Sequence, residues 1–427
     1  MSDFVSNQFT LNIKAGQYAS LGGSQIQQDR LQSGKTADGS DVFVIADGHG
    51  PDVSGVRGSG GELFAEIATQ TVCGFFQSQD VSSKTHDEIV ELLSVICSKS
   101  HNACKEGVKA FLESHGREVF ETSAGVLLSR EALRPWFVVK GGTTCTIVIR
   151  VGYKFYTATV GDSTAKGVTQ IPLLHKSQLQ FCIDVADPER VLEPMPEPLS
   201  DDGLTTHIEL SFSPGVTDPD EYCRVLLFEP RVEFRYDSSA RSKQNCPLVF
   251  TTGLDGELVD TKKIAYYKNV NKEPAALVTT PRGCNFGLDI VEQGVNMSLY
   301  SHVLEHVSAL AMSRSLGDFT LQPYGLTYKP VINMFDAEPI FQKMRENGII
   351  AMIQIILATD GLWDNMKESD IESDVSTFIN DPENIYSDVQ TLTTALGNEN
   401  NRRGCANFGN ARDNTTICII RVTESTI

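Results

Sequence analysis

The sequence lacks an apolar run long enough to span a membrane. The nearest candidate, residues 349–358, has about half of the roughly 18 residues required and contains Gln354. Residues 1–18 carry Asp3 and Lys14 among polar residues, without the basic and then apolar regions of a secretory signal. We therefore expect a folded, soluble, cytoplasmic protein with no membrane partner, and a nuclear location stays open.

The ten cysteines lack any C-x-x-C pair or regular spacing. Reduced thiols in the cytosol are the simplest interpretation of single, scattered cysteines. The pattern argues against a disulfide framework and against a structural zinc site.

Positive charge is also scarce. The chain has 36 Lys and Arg against 55 Asp and Glu, a formal net charge of -19. Proteins that bind nucleic acid neutralise its phosphates with Lys and Arg, so the balance argues against a nucleic-acid partner. The net negative charge fits a protein that binds cations.

The apolar segments that are present predict a mixture of strands and helices. Short runs rich in β-branched residues predict strands at 42–46, 145–150, 155–160, 224–228, 349–358 and 416–422. Apolar residues at helical spacing predict helices over 62–77 and 86–110. Strands, helices and further strands in this order favour an α+β fold of packed layers.

The stretch 167–303 differs from the rest because Pro, Asp and Glu are crowded within it. We interpret it as an elaborated insertion with a strand of its own at 224–228. No internal repeat or long linker divides the chain. Residues 1–427 are therefore predicted to form one domain that carries this insertion.

Aspartates follow or precede several of the predicted strands. Asp47 lies in Asp-Gly-His-Gly, Asp162 in Gly-Asp-Ser, Asp360 in Asp-Gly-Leu-Trp-Asp, and Asp413 in Arg-Asp-Asn-Thr. One such aspartate alone is typical of an ordinary turn. Repeated at strand ends, the carboxylates can converge on one sheet edge and hold Mg²⁺ or Mn²⁺. Two neighbouring ions can lower the pKa of a water molecule and clamp a phosphate.

These segments resemble, in order, the motifs of the PPM family, the protein phosphatase 2C type. The series also includes an early acidic residue and Ser-Arg-Ser-Leu-Gly-Asp at 313–318. The resemblance covers roughly residues 15–165 and 307–422. It implies a β-sandwich of two antiparallel sheets flanked by α-helices, with a dinuclear Mg²⁺ or Mn²⁺ site at one end.

By this resemblance, Asp47 bridges both metals and also acts in catalysis, and the carbonyl of Gly48 binds one of them. Asp360 and Asp413 complete the other metal site. Asp29 falls where the family has a water-bound or supporting acid, and Asp162 where the family sometimes holds a third ion.

The resemblance further implies hydrolysis of phosphoserine and phosphothreonine in proteins by metal-activated water, without a phosphoenzyme. The partner would be a phosphoprotein, and the oligomeric state stays open. His49 can protonate the departing alkoxide near neutral pH, although a histidine in such a loop can also merely cap a turn.

The sequence departs from the family at its phosphate-binding arginine. Ser24 occupies that position, so Arg30, Arg57 or a residue of the insertion would have to replace it. Arg314 and Asp318 are expected either to form a buried structural pair or to line the site, with Asp318 in a supporting role.

Two alternatives remain open. His302, Glu305 and His306 match the H-x-x-E-H pattern of a zinc protease, although no third ligand is evident. The chain could also be an inactive relative that binds phosphoproteins, for which Ser24 is the best support.

Overall fold

The computed structural model describes residues 9–53, 55–173, 180–187, 205–229, 231–237, 246–264, 267–280, 309–348, 352–367, 369–371, 373–375 and 388–426. The strands within these ranges are β1 Phe9–Ser20, β2 Arg30–Lys35, β3 Asp41–Ala46, β4 Gly48–His49, β5 Glu118–Glu121, β6 Leu127–Arg130, β7 Phe137–Val138, β8 Gly142–Thr143, β9 Cys145–Val151, β10 Lys154–Val160, β11 Thr164–Leu173, β12 Gln180–Asp184, β13 Thr205–Glu209, β14 Glu233–Tyr236, β15 Phe250–Thr252, β16 Leu258–Asp260, β17 Ala276–Thr279, β18 Ala309–Leu310, β19 Leu316–Gly317, β20 Val331–Asp336, β21 Met352–Ala358 and β22 Thr415–Thr426. The α-helices are α1 Gly61–Phe76, α2 His86–Ser114, α3 Pro219–Leu226, α4 Glu338–Glu346, α5 Asp360–Trp363 and α6 Val389–Phe408.

Two antiparallel sheets form the centre of the protein. Sheet A has the order β1-β22-β21-β11-β13, and sheet B has the order β12-β20-β10-β9-β3-β2. Every pairing within these two sheets is antiparallel.

Alternation of side chains along the strands explains why both faces of each sheet are covered. In β3, Ile45 points into the core between the sheets, whereas Val44 points to the core beneath α1 and α2. In β21, Ile355 faces the same inter-sheet core, whereas Ile356 faces the core beneath α5 and α6. The layers therefore run helix, sheet, sheet, helix, which confirms the predicted α+β sandwich.

The helices over sheet B agree with the sequence prediction. α1 and α2 begin within one residue of the predicted starts, and α2 continues four residues beyond the predicted end at 110. Thr85 and Glu88 form a capping box at the start of α2, each side chain accepting from the other residue's backbone N–H.

The strand predicted at 224–228 is wrong, because α3 covers Pro219–Leu226. Asp218 accepts hydrogen bonds from the N–H groups of Asp220 and Glu221, and Pro219 occupies the first turn, so the chain begins a helix before the apolar run. The β-branched run alone did not reveal this N-cap.

The stretch 167–303 contributes to more than one part of the protein. β11, β12 and β13 belong to the two main sheets. α3, β14 and β17 surround a separate apolar cluster that includes Phe234 and Val278. The single domain with an insertion at 167–303 stays a prediction, and part of that range lies outside the described residues.

The zinc-protease motif of His302, Glu305 and His306 lies outside the described residues. Within the ranges that the structure covers, no helix is both long and apolar enough to cross a membrane.

Candidate metal centre

Strand register brings the predicted aspartates to one end of the sandwich. In sheet A, Ile417 pairs with Ala358, so Asp413 and Asp360 lie at the same end of β22 and β21. In sheet B, Arg30 pairs with Ala46, which sets Asp29 beside Asp47. The end of β10, which leads into Asp162, lies at this end of sheet B too, because Val160 pairs with Cys145 at the start of β9.

Two glycines let the aspartate-bearing backbones approach closely. A Cβ added to Gly48 would lie 2.1 Å from the carbonyl oxygen of Gly61 and 2.8 Å from that of Gln28. A Cβ at Gly361 would lie 1.9 Å from the carbonyl oxygen of Asn414. Only glycine fits at these approaches. Close backbone packing therefore requires glycine directly after Asp47 and directly after Asp360.

Hydrogen bonds connect the two sheets at this end. The hydroxyl of Thr359, which precedes Asp360, donates to Oδ2 of Asp29 at 3.0 Å. The backbone N–H of Gln28 donates to Oδ1 of Asn414 at 2.9 Å. These contacts hold the segments of Asp29, Asp360 and Asp413 against one another.

The backbone of Asp47 is held by two threonines. Its N–H donates to Oγ1 of Thr144, and its carbonyl accepts from the N–H of Thr144 and the hydroxyl of Thr143, all at 2.9–3.0 Å. The hydroxyls of Thr144 and Ser163 lie 2.7 Å apart, which links Asp47 to the turn that contains Asp162.

Burial and mutual repulsion give these carboxylates unusual proton affinities. Burial raises the pKa of Asp47 well above its ordinary value, and the carboxylates of Asp360, Asp29 and Asp413 raise it further. Burial likewise raises the pKa of Asp360 well above normal, that of Asp413, and that of Asp29 to about 6. Such a cluster requires cations or protons to offset its charge.

Several carboxylate oxygens in this cluster are available as ligands. In the part of the chain that the structure describes, one oxygen each of Asp29, Asp162 and Asp360 is buried without a hydrogen-bond partner. Among the same residues, no three His, Cys, Asp or Glu side chains enclose a single ion. Separate carboxylates around a common region suit Mg²⁺ or Mn²⁺, because these hard ions take oxygen ligands and Mg²⁺ usually keeps several waters. The residues present therefore fit such ions.

His49 lies beside this cluster on β4. Its Nε2 is 2.5 Å from Oδ2 of Asp318, which also accepts a hydrogen bond from the hydroxyl of Ser315 at 2.7 Å. Burial lowers the pKa of His49, but the Asp318 carboxylate more than offsets this, and the pKa is raised. The Asp318 carboxylate therefore favours the protonated form of the imidazole.

Arg314 and Asp318 do not pair with each other. Both are buried, but Arg314 donates to both oxygens of Asp184, at 2.8 and 2.7 Å, and to Glu221 at 2.8 Å. Glu221 lies on α3, far from any position that a motif would identify. Of the two expected roles, Arg314 therefore takes the structural one and Asp318 contacts a predicted site residue.

The predicted replacements for the phosphate-binding arginine differ in their surroundings. The guanidinium of Arg30 donates to the carbonyls of Gln27 and Asp29 at 2.7 and 2.9 Å. Arg57 is exposed. A cation that sequence reasoning missed, Lys268, lies 3.9 Å from carboxylate oxygens of both Asp162 and Asp364. It follows no motif, so no sequence signal identifies it.

A cavity of about 410 Å³ opens beside the cluster. Asp162, Asp360 and Asp364 are among the residues that line it. Residues of the predicted insertion and its flank also line it, among them Pro214, Thr217, Lys268, Asn271 and Met312. Trp363 also lines the cavity, and its indole N–H donates to the carbonyl of Ala358 at 3.0 Å.

Comparisons with known proteins agree on one family. A model described as protein phosphatase 2C matches residues 17–177, and a second model with the same description matches residues 290–406. A search of curated protein sequences finds no match.

The solved structures that match the chain have low sequence identity to it. A serine-threonine phosphatase 2C from Toxoplasma gondii has 16% identity over 97% of this chain and 95% of its own, with a TM-score of 0.46. A C. elegans sex determining protein has 16% identity over 96% of this chain and 64% of its own, with a TM-score of 0.49. The catalytic domain of the serine threonine protein phosphatase PstP, in complex with two manganese ions, has 12% identity over 97% of this chain and 100% of its own, with a TM-score of 0.40.

The two family matches flank most of the predicted insertion, each extending a short way into it, and contain Asp47, His49, Asp162 and Asp360. The observed sandwich has the layers that this family implies. The chain belongs to the protein phosphatase 2C family of serine/threonine phosphatases.

Proposed function

We propose that the chain hydrolyses phosphoserine and phosphothreonine in proteins with the help of two Mg²⁺ or Mn²⁺ ions. Asp47, the carbonyl of Gly48, Asp360 and Asp413 hold the ions, and Asp29 and Asp162 support them. The observation that carries the proposal is the cluster of buried carboxylates with raised pKa values and unpartnered oxygens. A protein has no structural use for such repulsion unless cations bind there.

The bound ions would lower the pKa of a water molecule and neutralise charge on the phosphate. The chain's own residues supply the remaining requirements. Thr143 and Thr144 fix the backbone of Asp47, so its carboxylate stays at the end of β3. His49, whose protonated form is favoured by Asp318, donates a proton to the serine or threonine oxygen as it leaves.

We further propose that the predicted insertion governs the choice of phosphoprotein. Its residues line the cavity beside Asp162 and Asp360, where a segment flanking the phosphorylated residue can bind.

A second candidate, an inactive phosphatase-like binding protein, is favoured by one observation. Ser24 replaces the arginine of the family, and Arg30 is already bound to two backbone carbonyls. Retention of His49 with its Asp318 partner favours the active enzyme, because a protein that only binds has no need of a proton donor.

Hydrolysis of a phosphoserine peptide and of p-nitrophenyl phosphate, with EDTA and then with excess Mn²⁺, distinguishes these candidates. We expect EDTA to abolish turnover, Mn²⁺ to restore it, and Asp47→Asn to stay inactive in both. The exposed Asp87→Asn is the matched control and should equal the wild type. Turnover that resists EDTA, or that survives Asp47→Asn, contradicts the metal mechanism. Mn²⁺ binding without turnover would instead support the inactive relative.

A further inference from the structure

Lys268 places a positive charge inside the acidic end of the cavity. Its Nζ lies 3.9 Å from Oδ2 of Asp162, 3.9 Å from Oδ1 of Asp364 and 3.8 Å from Oε2 of Glu273. About a third of the Lys268 side chain is exposed (32%), against 18% for Asp162 and 23% for Asp364. The ammonium therefore lies within 4 Å of three carboxylates, two of which are largely buried.

The loop that carries Lys268 is attached to one of these carboxylates. The side-chain amide of Asn269 donates to Oδ1 of Asp364 at 3.3 Å and to Oε2 of Glu273 at 2.8 Å. The backbone N–H of Val270 donates to the carbonyl of Asp364 at 3.1 Å, and that of Lys268 to the carbonyl of Glu273 at 2.9 Å. Lys268 therefore lies on a loop that is hydrogen-bonded to the turn containing Asp364.

The carboxylates around Lys268 need a counter-charge. Asp162 has one buried oxygen without a hydrogen-bond partner among the described residues. Burial raises the pKa of Asp364 to about 6, while Lys268 acts in the opposite direction. At distances near 4 Å an ammonium stabilises these negative charges electrostatically. It does not form hydrogen bonds to the carboxylate oxygens at that distance.

We infer that Lys268 is a tethered cation that fills the pocket between Asp162 and Asp364 and keeps a divalent ion out of it. The inference builds on the proposed metal centre, since Asp162 was expected to hold a further ion there. The chain supplies one positive charge from its own loop, so it needs fewer bound ions to neutralise this end of the cluster. Removal of that charge opens the pocket to a divalent cation.

Counting bound Mn²⁺ by equilibrium dialysis and elemental analysis tests the inference without measuring activity. We expect Lys268→Met to bind one more Mn²⁺ ion per chain than the wild type, with weaker affinity than the others. Lys268→Arg keeps the charge and should bind the wild-type number. Lys263→Met, an exposed lysine of the same segment, is the matched control and should also be unchanged.

Equal Mn²⁺ counts in the wild type and in Lys268→Met overturn the inference. If the wild type and Lys268→Met each bind two ions, the proposed function still stands. If neither protein binds any ion, the proposed function is contradicted too. One ion in Lys268→Met and none in the wild type would support the tethered cation while contradicting the dinuclear centre.

A different role for Lys268, binding the substrate phosphate, gives a different result. In that case Lys268→Met would raise the inhibition constant of inorganic phosphate about tenfold or more, as expected for loss of a charged contact, and would leave the Mn²⁺ count unchanged. We expect the opposite. Circular dichroism of Lys268→Met and Lys268→Arg confirms that the compared proteins are folded.

Discussion

Oδ2 of Asp318 lies 2.5 Å from Nε2 of His49, although 269 positions separate the two residues in the chain. The hydroxyl of Ser315 donates to the same oxygen, and Asp318 itself has a positive φ of 45°. A non-glycine residue in this conformation is uncommon and costs free energy, so the surrounding structure holds it there. The Ser-Arg-Ser-Leu-Gly-Asp segment thus delivers a carboxylate to the imidazole that we propose as the proton donor.

Replacing Asp318 by Asn should affect the proposed acid step through His49. The amide removes the negative charge that favours the protonated imidazole and orients it. We expect kcat for a phosphoserine peptide to fall about tenfold or more, because a positioned acid contributes roughly 10²–10⁴-fold. The rate for p-nitrophenyl phosphate, whose leaving group needs no proton, should change much less.

The comparison between the two substrates serves as the internal control for Asp318→Asn. An equal loss for both substrates would indicate that Asp318 only maintains the structure, and the proton-donor role would then be wrong. The Mn²⁺ count of Asp318→Asn should equal that of the wild type, since Asp318 is not among the proposed ligands.

The stabilisation of the protein by Mn²⁺ should depend on pH. Burial raises the pKa of Asp29 to about 6 and those of Asp47 and Asp360 above their normal values, so the folded metal-free protein holds protons that the unfolded chain has released. Asp29 therefore makes the metal-free protein less stable as pH rises from about 4 to about 6, and Asp47 and Asp360 act in the same direction. Mn²⁺ binds the deprotonated carboxylates, so it competes with these protons.

We therefore expect the rise in thermal midpoint caused by Mn²⁺ to be larger at about pH 7.5 than at about pH 5.5, where protons compete for the carboxylates. Differential scanning fluorimetry at both pH values, with and without Mn²⁺, measures this rise. In Asp47→Asn the rise should disappear at both pH values. A larger Mn²⁺ effect at the lower pH would contradict the assignment of these carboxylates as ligands.

The buried charges around Arg314 should matter for stability. The Glu221 side chain is fully buried and accepts from Arg314, Arg224 and the hydroxyl of Ser313. Glu221→Gln removes the carboxylate that the two guanidinium groups share, and removal of one partner from a buried ion pair costs about 3–5 kcal/mol. Urea unfolding of the metal-free protein should show this loss.

Glu229→Gln provides the control for Glu221→Gln, because Glu229 pairs with Arg231 on the surface, where the arginine side chain is 68% exposed. A surface pair contributes at most about 1 kcal/mol. Similar losses in the two variants would show that the Arg314 cluster does not stabilise the attachment of α3.

Much of the sandwich could be predicted because its strands carry local signals. The runs 42–46 and 416–422 are β-branched and apolar on both faces, since a helix layer covers one side and the other sheet covers the second. The aspartates could be predicted for a related reason. Each stands where an apolar strand meets a glycine or asparagine turn, and strand register alone brings such ends together.

Contacts that depend on distant segments could not be predicted in the same way. The partners of Arg314 come from β12 and α3, and nothing near Arg314 in sequence indicates Asp184 or Glu221. Lys268 likewise reaches Asp162 only through the folding of a loop with no periodic pattern. The helix α3 was missed because its start depends on the Asp218 cap rather than on the apolar run that follows.

The most direct test of the metal centre is anomalous diffraction from crystals of the protein grown with Mn²⁺. We predict two anomalous peaks at the end of the sandwich, with oxygens of Asp47 beside both peaks and with Asp360 and Asp413 beside one. Absence of any peak between these three side chains at saturating Mn²⁺, or peaks coordinated by other residues, would contradict the account.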